Sequence, residues 1–230
     1  MSRVTLIVAA TTNNGIGQAG KLPWRLPREM KYFARVTTGR DRVSDGNGEG
    51  GTSDLKNAVV MGRATWESIP HRFRPLAGRI NIVVSRQKDY NLGAGTGANK
   101  DKNNNKEKGD HDAELSSVGV GAVLTSSLES ALDHARAKNA NRVFVIGGAK
   151  LYAEALSIAE RVLLTRIVEP EFEGCDVFMP NFIEEEDGEK RWTRAPHEEL
   201  SDWVGFEVPK EIQEEGGVKY EYELWTKDKR

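Results

Sequence analysis

Near its start the chain reads Val4-Thr5-Leu6-Ile7-Val8-Ala9-Ala10, an apolar run with the length of a buried strand. A tight turn, Asn13-Asn14-Gly15-Ile16-Gly17, comes next. In the segment that begins near Pro27, helical spacing is shown by Glu29, Met30, Phe33, Ala34 and Thr37. A strand, a turn and a helix in this order indicate the beginning of an α/β domain.

Short apolar runs and helical patterns continue to alternate, which predicts an α/β fold with a mainly parallel sheet. The runs 80–84 and 143–146 are apolar on both sides, as in strands that helices cover on both faces. The predicted strands are Val4–Ala10, Ala58–Met61, Ile80–Val84, Val120–Leu124, Arg142–Ile146 and Val162–Ile167. The predicted helices are Pro27–Thr38, Ala64–Ile69, Ser127–Lys138 and Ala149–Ala155, and Ser127 is a suitable N-cap. Residues 219–225 alternate as a half-exposed antiparallel strand does, with Trp192-Thr193 and its flanks as the predicted partner.

The composition narrows the class of protein. A chain of 230 residues suits one domain, residues 1–230. Its 35 acidic residues outnumber its 33 Lys and Arg, so no overall positive field favours nucleic acid or an anionic membrane surface. No stretch approaches the roughly 20 apolar residues of a membrane span, and the first residues leave no room for a signal peptide. We therefore expect a cytoplasmic protein, and nothing in the sequence demands more than a monomer.

The single cysteine, Cys175, agrees with a reducing compartment because it cannot form an internal disulfide. It lies among acidic residues, which raise the pKa of a thiol and make a nucleophilic role unfavourable. We expect Cys175 to be structural.

Two stretches interrupt the pattern, at about residues 40–54 and 87–117. Both are rich in Gly, Asn and charged residues and poor in bulky apolar ones, so neither should bury enough surface to order itself well. Strand patterns resume after each, which indicates surface insertions within one domain.

Glu29 has the most unusual predicted environment. It lies one helical turn before Phe33, on a face that should pack against the apolar first strand. A carboxylate there loses hydration and needs a specific partner. The alternative is that Glu29, in the first helical turn, favours the helix dipole and points to water.

Three strand ends carry groups suited to phosphate. Gly62-Arg63 and Gly147-Gly148 each follow a strand and open a helix, whose free amides attract anions, although a tight turn alone also needs glycine. Ser85-Arg86 combines a hydroxyl with a guanidinium, which suits a phosphate monoester, and together with Arg63 it favours the 2′-phosphate of NADP(H). The G-x-G-x-x-G fingerprint is absent, and the nearest acid, Asp89, lies inside an insertion. The three ends together predict a dinucleotide site at the carboxyl edge of the sheet.

Arg79 stands just before the strand 80–84, where a cation is able to hold a ligand carboxylate. The alternative is a solvated charge that merely precedes a strand.

These segments together resemble the dihydrofolate reductase family, over nearly the whole chain apart from the insertions and part of 183–217. The matching motifs, in order, are Ile7-Val8-Ala9, Gly15-Ile16-Gly17, Leu22-Pro23-Trp24, Glu29 with Phe33, Met61-Gly62-Arg63, Thr65-Trp66, Ser68-Ile69-Pro70, Arg74-Pro75-Leu76, Gly78-Arg79, Ser85-Arg86, Ile146-Gly147-Gly148 through Tyr152, and Leu164-Thr165-Arg166-Ile167. The insertions and the Ser-Ile-Pro segment resemble eukaryotic, fungal members.

The resemblance implies an eight-stranded, mostly parallel sheet with an antiparallel C-terminal strand, flanked by helices on both faces. It implies cis peptide bonds at Arg74-Pro75 and Gly147-Gly148. The implied reaction is the NADPH-dependent reduction of 7,8-dihydrofolate to tetrahydrofolate across N5–C6, which supplies one-carbon metabolism for thymidylate and purine synthesis. Antifolates are the implied inhibitors.

The resemblance also assigns roles within the site. Glu29 would anchor the pterin edge and organise a proton relay, Thr165 would orient Glu29, and water would reach N5 near Leu22 with the help of a water bound to Trp24. The implied substrate-binding residues are Ile7, Val8, Ala9, Met30, Phe33, Ser68, Ile69, Leu76, Arg79, Ile146 and Tyr152. The implied NADPH-binding residues are Ala9, Ile16, Gly17, Gly20, Gly62, Arg63, Ala64, Thr65, Ser85, Arg86, Ile146, Gly147, Gly148, Ala149, Lys150 and Leu151. No metal ion is expected.

Two departures from the family pattern bear on ligands. Ala64 stands where relatives often carry a second Lys or Arg, so phosphate binding would depend more on Arg63, Arg86, Lys150 and backbone amides. Met30 keeps the pocket apolar and changes its shape.

Two rival functions stay open. A reductase of the same architecture acting on a pyrimidine, as in riboflavin synthesis, is disfavoured by the combination of Glu29, Phe33 and Arg79. A nucleotide-binding module without turnover, such as an RNA-binding regulator, is disfavoured by the acidic balance.

Overall fold

The structure is a computed structural model, and it describes residues 4–39, 55–93, 121–183 and 191–227. Its strands are β1 Val4–Thr11, β2 Gly15–Gly17, β3 Ala58–Gly62, β4 Ile80–Val84, β5 Ala122–Thr125, β6 Val143–Val145, β7 Arg161–Glu169, β8 Val177–Phe178, β9 Trp192–Arg194, β10 Gln213–Glu215 and β11 Val218–Lys227. Its helices are α1 Pro27–Thr38, α2 Arg63–Ser68, α3 Leu128–Ala137, α4 Ala149–Leu156 and α5 His197–Val204.

Among the described residues, eight strands form one continuous row in the order β10-β11-β7-β1-β6-β3-β4-β5, and β9 adds a ninth by pairing with β11. The row from β7 to β5 is parallel throughout, whereas β11 runs antiparallel to β7, β9 and β10. The predicted mainly parallel sheet, its antiparallel C-terminal strand and the pairing of the Trp192 segment with that strand are confirmed.

Helices cover the sheet on both faces, as predicted, because the central strands are apolar on both sides. One core contains Leu6 and Val145 from the strands with residues of α3 and α4. The other contains Ile7 and Phe144 with residues of α1, α2 and α5. Neighbouring residues of one strand therefore enter different cores, which fixes where each side chain can act.

The predicted strands and helices agree with the observed ones to within one or two residues. Ser127 caps α3 by accepting a hydrogen bond from the amide of Ser130. The sequence did not predict the short strands β2, β8 and β10 or the helix α5. The predicted cis bonds at Arg74-Pro75 and Gly147-Gly148 are present, and Glu169-Pro170 is also cis.

Most of the two proposed insertions, residues 40–54 and 94–117, lies outside the described residues. The start of the second, residues 87–93, is described, and there two apolar side chains reach the core. Leu92 is buried to 2 % exposure in the core beside α1, and Tyr90 packs against the same core. In the part of the chain that the structure describes, no helix has the length and apolar character to cross a membrane.

Candidate active site

The sheet opens at the carboxyl ends of its two central strands. β1 pairs with β6 only from Val4 to Leu6, whereas its pairing with β7 continues to Thr11. The helix after β1 packs on one face of the sheet and the helix after β6 packs on the other. Neighbouring parallel strands with this arrangement leave a crevice at their carboxyl ends, which is the usual ligand site of an open α/β sheet.

Glu29 lies in the first turn of α1, and its burial decides between the two sequence interpretations. The residue is only 6 % exposed, so it does not point to water. The hydroxyl of Thr165, on β7, donates to Glu29 Oε1 at 3.2 Å, as the resemblance implied. Among the described residues no Lys, Arg or His forms a salt bridge with Glu29, so this carboxyl group has one hydrogen bond and no counter-charge.

The chemistry of Glu29 follows from this burial. Desolvation raises the pKa of Glu29 from its ordinary 4.5 to about 7, with the Thr165 hydrogen bond acting in the opposite direction and the charge of Glu215 adding to the rise. A carboxyl group of this kind is half protonated near neutral pH. It can hold a proton or accept hydrogen bonds from a ligand that presents donors.

Tyr152 closes the other side of the crevice. This residue of α4 is buried, and its hydroxyl donates to the Ile7 carbonyl of β1 at 2.8 Å. It lies against Gly147, where a side chain would approach the Tyr152 ring and hydroxyl at 3.3 Å. Tyr152 therefore joins β1 to the Gly147-Gly148 turn across the gap between the strands.

The predicted apolar wall divides between the two faces of the sheet. Ile7 belongs to the core beside α1, and five more of the predicted residues pack against that core while staying partly exposed: Ala9, Phe33, Ile69, Leu76 and Ile146. Val8 points to the opposite face and packs with α4. The side chains of Ile7 and Val8 therefore enter opposite faces of the sheet, because successive strand residues alternate in direction, and the assignment of Val8 to the substrate stays a prediction.

Two further predicted substrate residues lie at the surface. Met30 is 48 % exposed, next to the buried Glu29. Ser68 is exposed, and its hydroxyl donates to the Thr65 carbonyl of its own helix at 2.7 Å. Met30 therefore lies at the edge of the site, and the Ser68 hydroxyl is hydrogen-bonded within α2.

Arg79 lies at the other end of α1 from Glu29. Its Nη1 donates to the Thr37 hydroxyl at 2.8 Å, and its guanidinium is 6.0 Å from the centre of the Phe33 ring. Glu29, Phe33 and Thr37 are spaced four residues apart, at i, i+4 and i+8 on α1. At 1.5 Å per residue, Glu29 and Thr37 lie about 12 Å apart along the helix. A buried acid and a guanidinium thus flank one aromatic side chain along a single helix face.

The glycines predicted to bind phosphate meet each other in the structure. The Gly62 amide donates to the Gly147 carbonyl at 2.7 Å, and Thr65 lies beside Gly147 and Gly148. Gly147 has a φ of +114°, which side-chain-bearing residues rarely adopt. Neither α2 nor α4, the helix that Ala149, Lys150 and Leu151 begin, has a side-chain cap at its N-terminus. Their first amides are therefore available to an anion.

The predicted 2′-phosphate group lies at the end of β4. Ser85 is buried, and its Oγ accepts a hydrogen bond from the Gln87 amide at 3.1 Å. Arg86 is exposed and forms no ion pair with any described residue. Arg63 donates to the Gln87 side chain and lies 3.9 Å from Glu67, its neighbour one helical turn later. Ala64, beside Arg63, is exposed and brings no charge.

The loop after β1 contains the remaining predicted residues. Leu22 is 51 % exposed, Ile16 is half-buried against the core of α4, and Gly20 has a φ of +74° at the surface. Trp24 is buried, and its indole Nε1 has no hydrogen-bond partner among the described residues. A buried donor of this kind normally binds water, which fits the water that the resemblance assigns to Trp24.

The residues that hold the loop after β1 in place were not predicted from the sequence. Gly15 and Gly17 in β2 pair with β8, and the Ala19 amide donates to Asp176 at 2.9 Å. Arg166 donates to the Thr11 carbonyl at 2.8 Å. These contacts join residues more than 150 positions apart, and no local sequence signal predicts them.

Cys175 packs against this loop. Its Sγ lies where a side chain on Gly15 would be placed, at 2.6 Å. Burial and then the charge of Asp176 raise the thiol pKa, as the acidic surroundings predicted.

The sequence and the structure of this chain are similar to those of known proteins. The sequence profile of the family "Dihydrofolate reductase" matches residues 3–44, 52–124 and 110–202. Dihydrofolate reductase of Cryptococcus neoformans is 39% identical over 97% of this chain and 94% of its own, and that of Pneumocystis carinii is 38% identical over 98% and 97%. The solved structure of Schistosoma mansoni dihydrofolate reductase matches with a TM-score of 0.66 and 30% identity over 99% of both chains. The predicted resemblance to fungal members is confirmed.

Proposed function

The chain belongs to the dihydrofolate reductase family, and from that membership we propose that it reduces 7,8-dihydrofolate to tetrahydrofolate with NADPH. As a member it is an oxidoreductase, and the family uses a nicotinamide cofactor. The product supplies one-carbon units for thymidylate and purine synthesis. The cytoplasm as location and the monomer as state stay predictions.

One observation supports the substrate best. The face of α1 carries the buried Glu29 at one end and meets Arg79 at the other, about 12 Å away, with Phe33 between them. Dihydrofolate has a flat ring with adjacent N–H donors, an aromatic spacer and a glutamate α-carboxylate. Glu29 accepts the donor pair, Phe33 packs on the spacer and Arg79 binds the carboxylate. A pyrimidine without this tail has no carboxylate for Arg79 to bind.

Glu29 is the residue that handles protons. Its raised pKa keeps part of it protonated near neutral pH, and Thr165 fixes the direction of Oε1. It anchors the ring and tunes a proton relay, while solvent entering beside the exposed Leu22 and the water on Trp24 carry the proton to N5. Glu29 itself does not donate the proton to N5.

The residues at the strand ends fit a nicotinamide dinucleotide. Gly147 leaves the backbone bare where a side chain would crowd Tyr152 and Thr65, and Gly62 lies against the backbone of the Gly147-Gly148 turn. The uncapped amides of α4 suit a diphosphate. When bound, the cofactor supplies the hydride that C6 of the substrate accepts. Ala9, Ile16 and Tyr152 orient the nicotinamide end, and the loop after β1 excludes bulk water from it.

The preference for NADPH over NADH depends on the end of β4. Arg86, with its side chain in solvent, and the buried Ser85 offer a guanidinium and a hydroxyl to a 2′-phosphate. Arg63 shares its charge with Glu67, so Arg86 contributes more of the selectivity.

The absorbance of the reduced nicotinamide tests the proposal directly. The purified chain should consume NADPH with dihydrofolate, and much more slowly with NADH. It should be inactive with a ribosylaminopyrimidine. Turnover of the aminopyrimidine in place of dihydrofolate would refute the substrate, and NADPH binding without any turnover would refute the enzyme.

A further inference from the structure

The first turn of α1, which carries Glu29, has no cap from its own sequence. Leu26 stands at the N-cap position without a side-chain hydrogen bond, and Pro27 has no N–H. The first free amide is that of Arg28, directly before Glu29. It donates to both carboxylate oxygens of Glu215, at 3.1 and 3.0 Å. Glu215 lies 187 residues later in the chain.

A hairpin holds Glu215 in this place. Glu215 ends β10 and pairs with Val218 at the start of β11. Gly216 and Gly217, with φ of +59° and +78°, make the tight turn between these strands. The Arg28 side chain also donates to the Glu214 carbonyl, and its Nε lies 3.8 Å from Glu215. The hairpin is thus fastened to the start of α1 by backbone and side-chain contacts.

We propose that Glu215 is a positioning residue for Glu29, because its carboxylate accepts the Arg28 amide and so holds the first turn of α1, with Glu29, in place. The negative charge of Glu215 also opposes ionisation of the Glu29 carboxyl group. The idea rests on the proposed role of Glu29 in the reaction. Glu215 itself does not touch the crevice groups Thr165 or Tyr152 through any described hydrogen bond. It acts through the helix turn that it caps.

The other groups that face Glu29 carry no negative charge at neutral pH. Besides Thr165, they are Tyr32 on α1, Tyr152 on α4, and Tyr220 and Tyr222 on β11. The pKa of each of these tyrosines is raised, so each stays neutral. Glu215 is therefore the carboxylate that acts on Glu29 among the described residues. The Arg28 guanidinium offsets part of its charge, but that side chain is 56% exposed and screened by water.

The test compares Glu215→Gln, Glu215→Ala and the matched control Glu214→Gln. Gln keeps an oxygen that accepts the Arg28 amide and removes only the charge, whereas Ala removes both. Glu214 is the neighbouring residue in β10, and its side chain is exposed and forms no described hydrogen bond or ion pair with Arg28. Carbon-13 NMR of labelled glutamate, with Glu29→Gln to assign the signal, follows the titration of Glu29 without any need for turnover.

In Glu215→Gln the titration midpoint of Glu29 should fall by roughly 0.3 pH unit or more, and the fall of kcat/KM at high pH should move with it. Glu215→Ala should show the same downward move, a lower melting temperature and a lower kcat. Glu214→Gln should match the parent. An unchanged Glu29 midpoint in Glu215→Gln overturns the inference, whether or not Ala folds. Loss of the proposed function shows itself separately, as an enzyme without turnover in which the Glu29 midpoint still moves.

Discussion

Replacing Glu29 with Gln distinguishes how much stability the buried carboxyl group costs from how much activity it provides. Below its ordinary pKa of 4.5 the carboxyl group is protonated in both the unfolded and the folded chain, and its burial costs little. Above about 7 it is ionised in both states, and the folded state bears the desolvation of the charge. The contribution of the protonated form to the free energy of unfolding is therefore complete below pH 4.5, and it is lost as the pH rises through 7.

The size of this effect follows from the pKa. A rise of about 2.5 corresponds to about 3 kcal/mol, since one pKa unit is about 1.4 kcal/mol. Gln has the shape of the protonated acid and cannot ionise. The variant should be about as stable as the parent near pH 4.5 and up to about 3 kcal/mol more stable near pH 8.5. Urea unfolding at the two pH values measures the difference.

Activity should change in the opposite direction. In the parent, kcat/KM should fall as the pH rises through about 7, because this ratio reports the ionisation of the free enzyme. Glu29→Gln should lose about 10²- to 10⁴-fold in turnover, the usual contribution of a positioned acid or base, while it still binds NADPH. A stability difference that is the same at both pH values, or near-normal turnover at neutral pH, would refute the assigned burial or the assigned role.

Three other substitutions address the ends of the site. Arg79→Leu should weaken dihydrofolate binding by about 10-fold or more, yet spare a small pterin-site inhibitor without a carboxylate; equal losses in equilibrium titrations would argue against the carboxylate contact. Arg86→Glu should erode the preference for NADPH over NADH in kcat/KM, and an unaltered ratio would remove Arg86 from the 2′-phosphate. Gly147→Ala should cost about 1 to 3 kcal/mol in thermal or urea unfolding and weaken NADPH binding, because φ is +114° and Tyr152 is in the way. Its control is Gly217→Ala, where φ is also positive, +78°, but a side chain would meet open space, so an equal loss of NADPH affinity in both would contradict the crowding argument.

Much of the fold was predictable because the central elements carry a local, repeated signal. The strand 80–84 and the helix with Ser127 at its start need only neighbouring residues to be recognised, and the structure has both. The short β2 and β8 have no such signal. They are three and two residues long and exist because each finds the other across more than 150 positions.

The candidate site was predictable to the extent that its residues form motifs. The Thr165–Glu29 hydrogen bond was implied by the family resemblance and is present. Two glycine turns were predicted at one edge of the sheet, and the structure adds a direct contact between Gly62 and Gly147 that was not predicted. The direction of the Val8 side chain was not predictable from the motif. A motif gives the residue type, and only the register of the strand tells which face of the sheet the side chain enters. Glu215 carried no motif at all, since a helix cap supplied from another strand is invisible in the sequence around either partner.

The buried acid conflicts with folding, and this conflict indicates what the site is built for. If α1 served packing alone, a Leu or Met at position 29 would avoid the desolvation that raises the pKa to about 7. Thr165 satisfies only part of the carboxyl group, and no described cation neutralises it. The missing hydrogen bonds are those that a ligand with adjacent donors supplies, so binding offsets a cost that folding leaves in place. Under the proposed function, the bound state, and not the empty one, is the state in which the Glu29 carboxyl group would be fully paired.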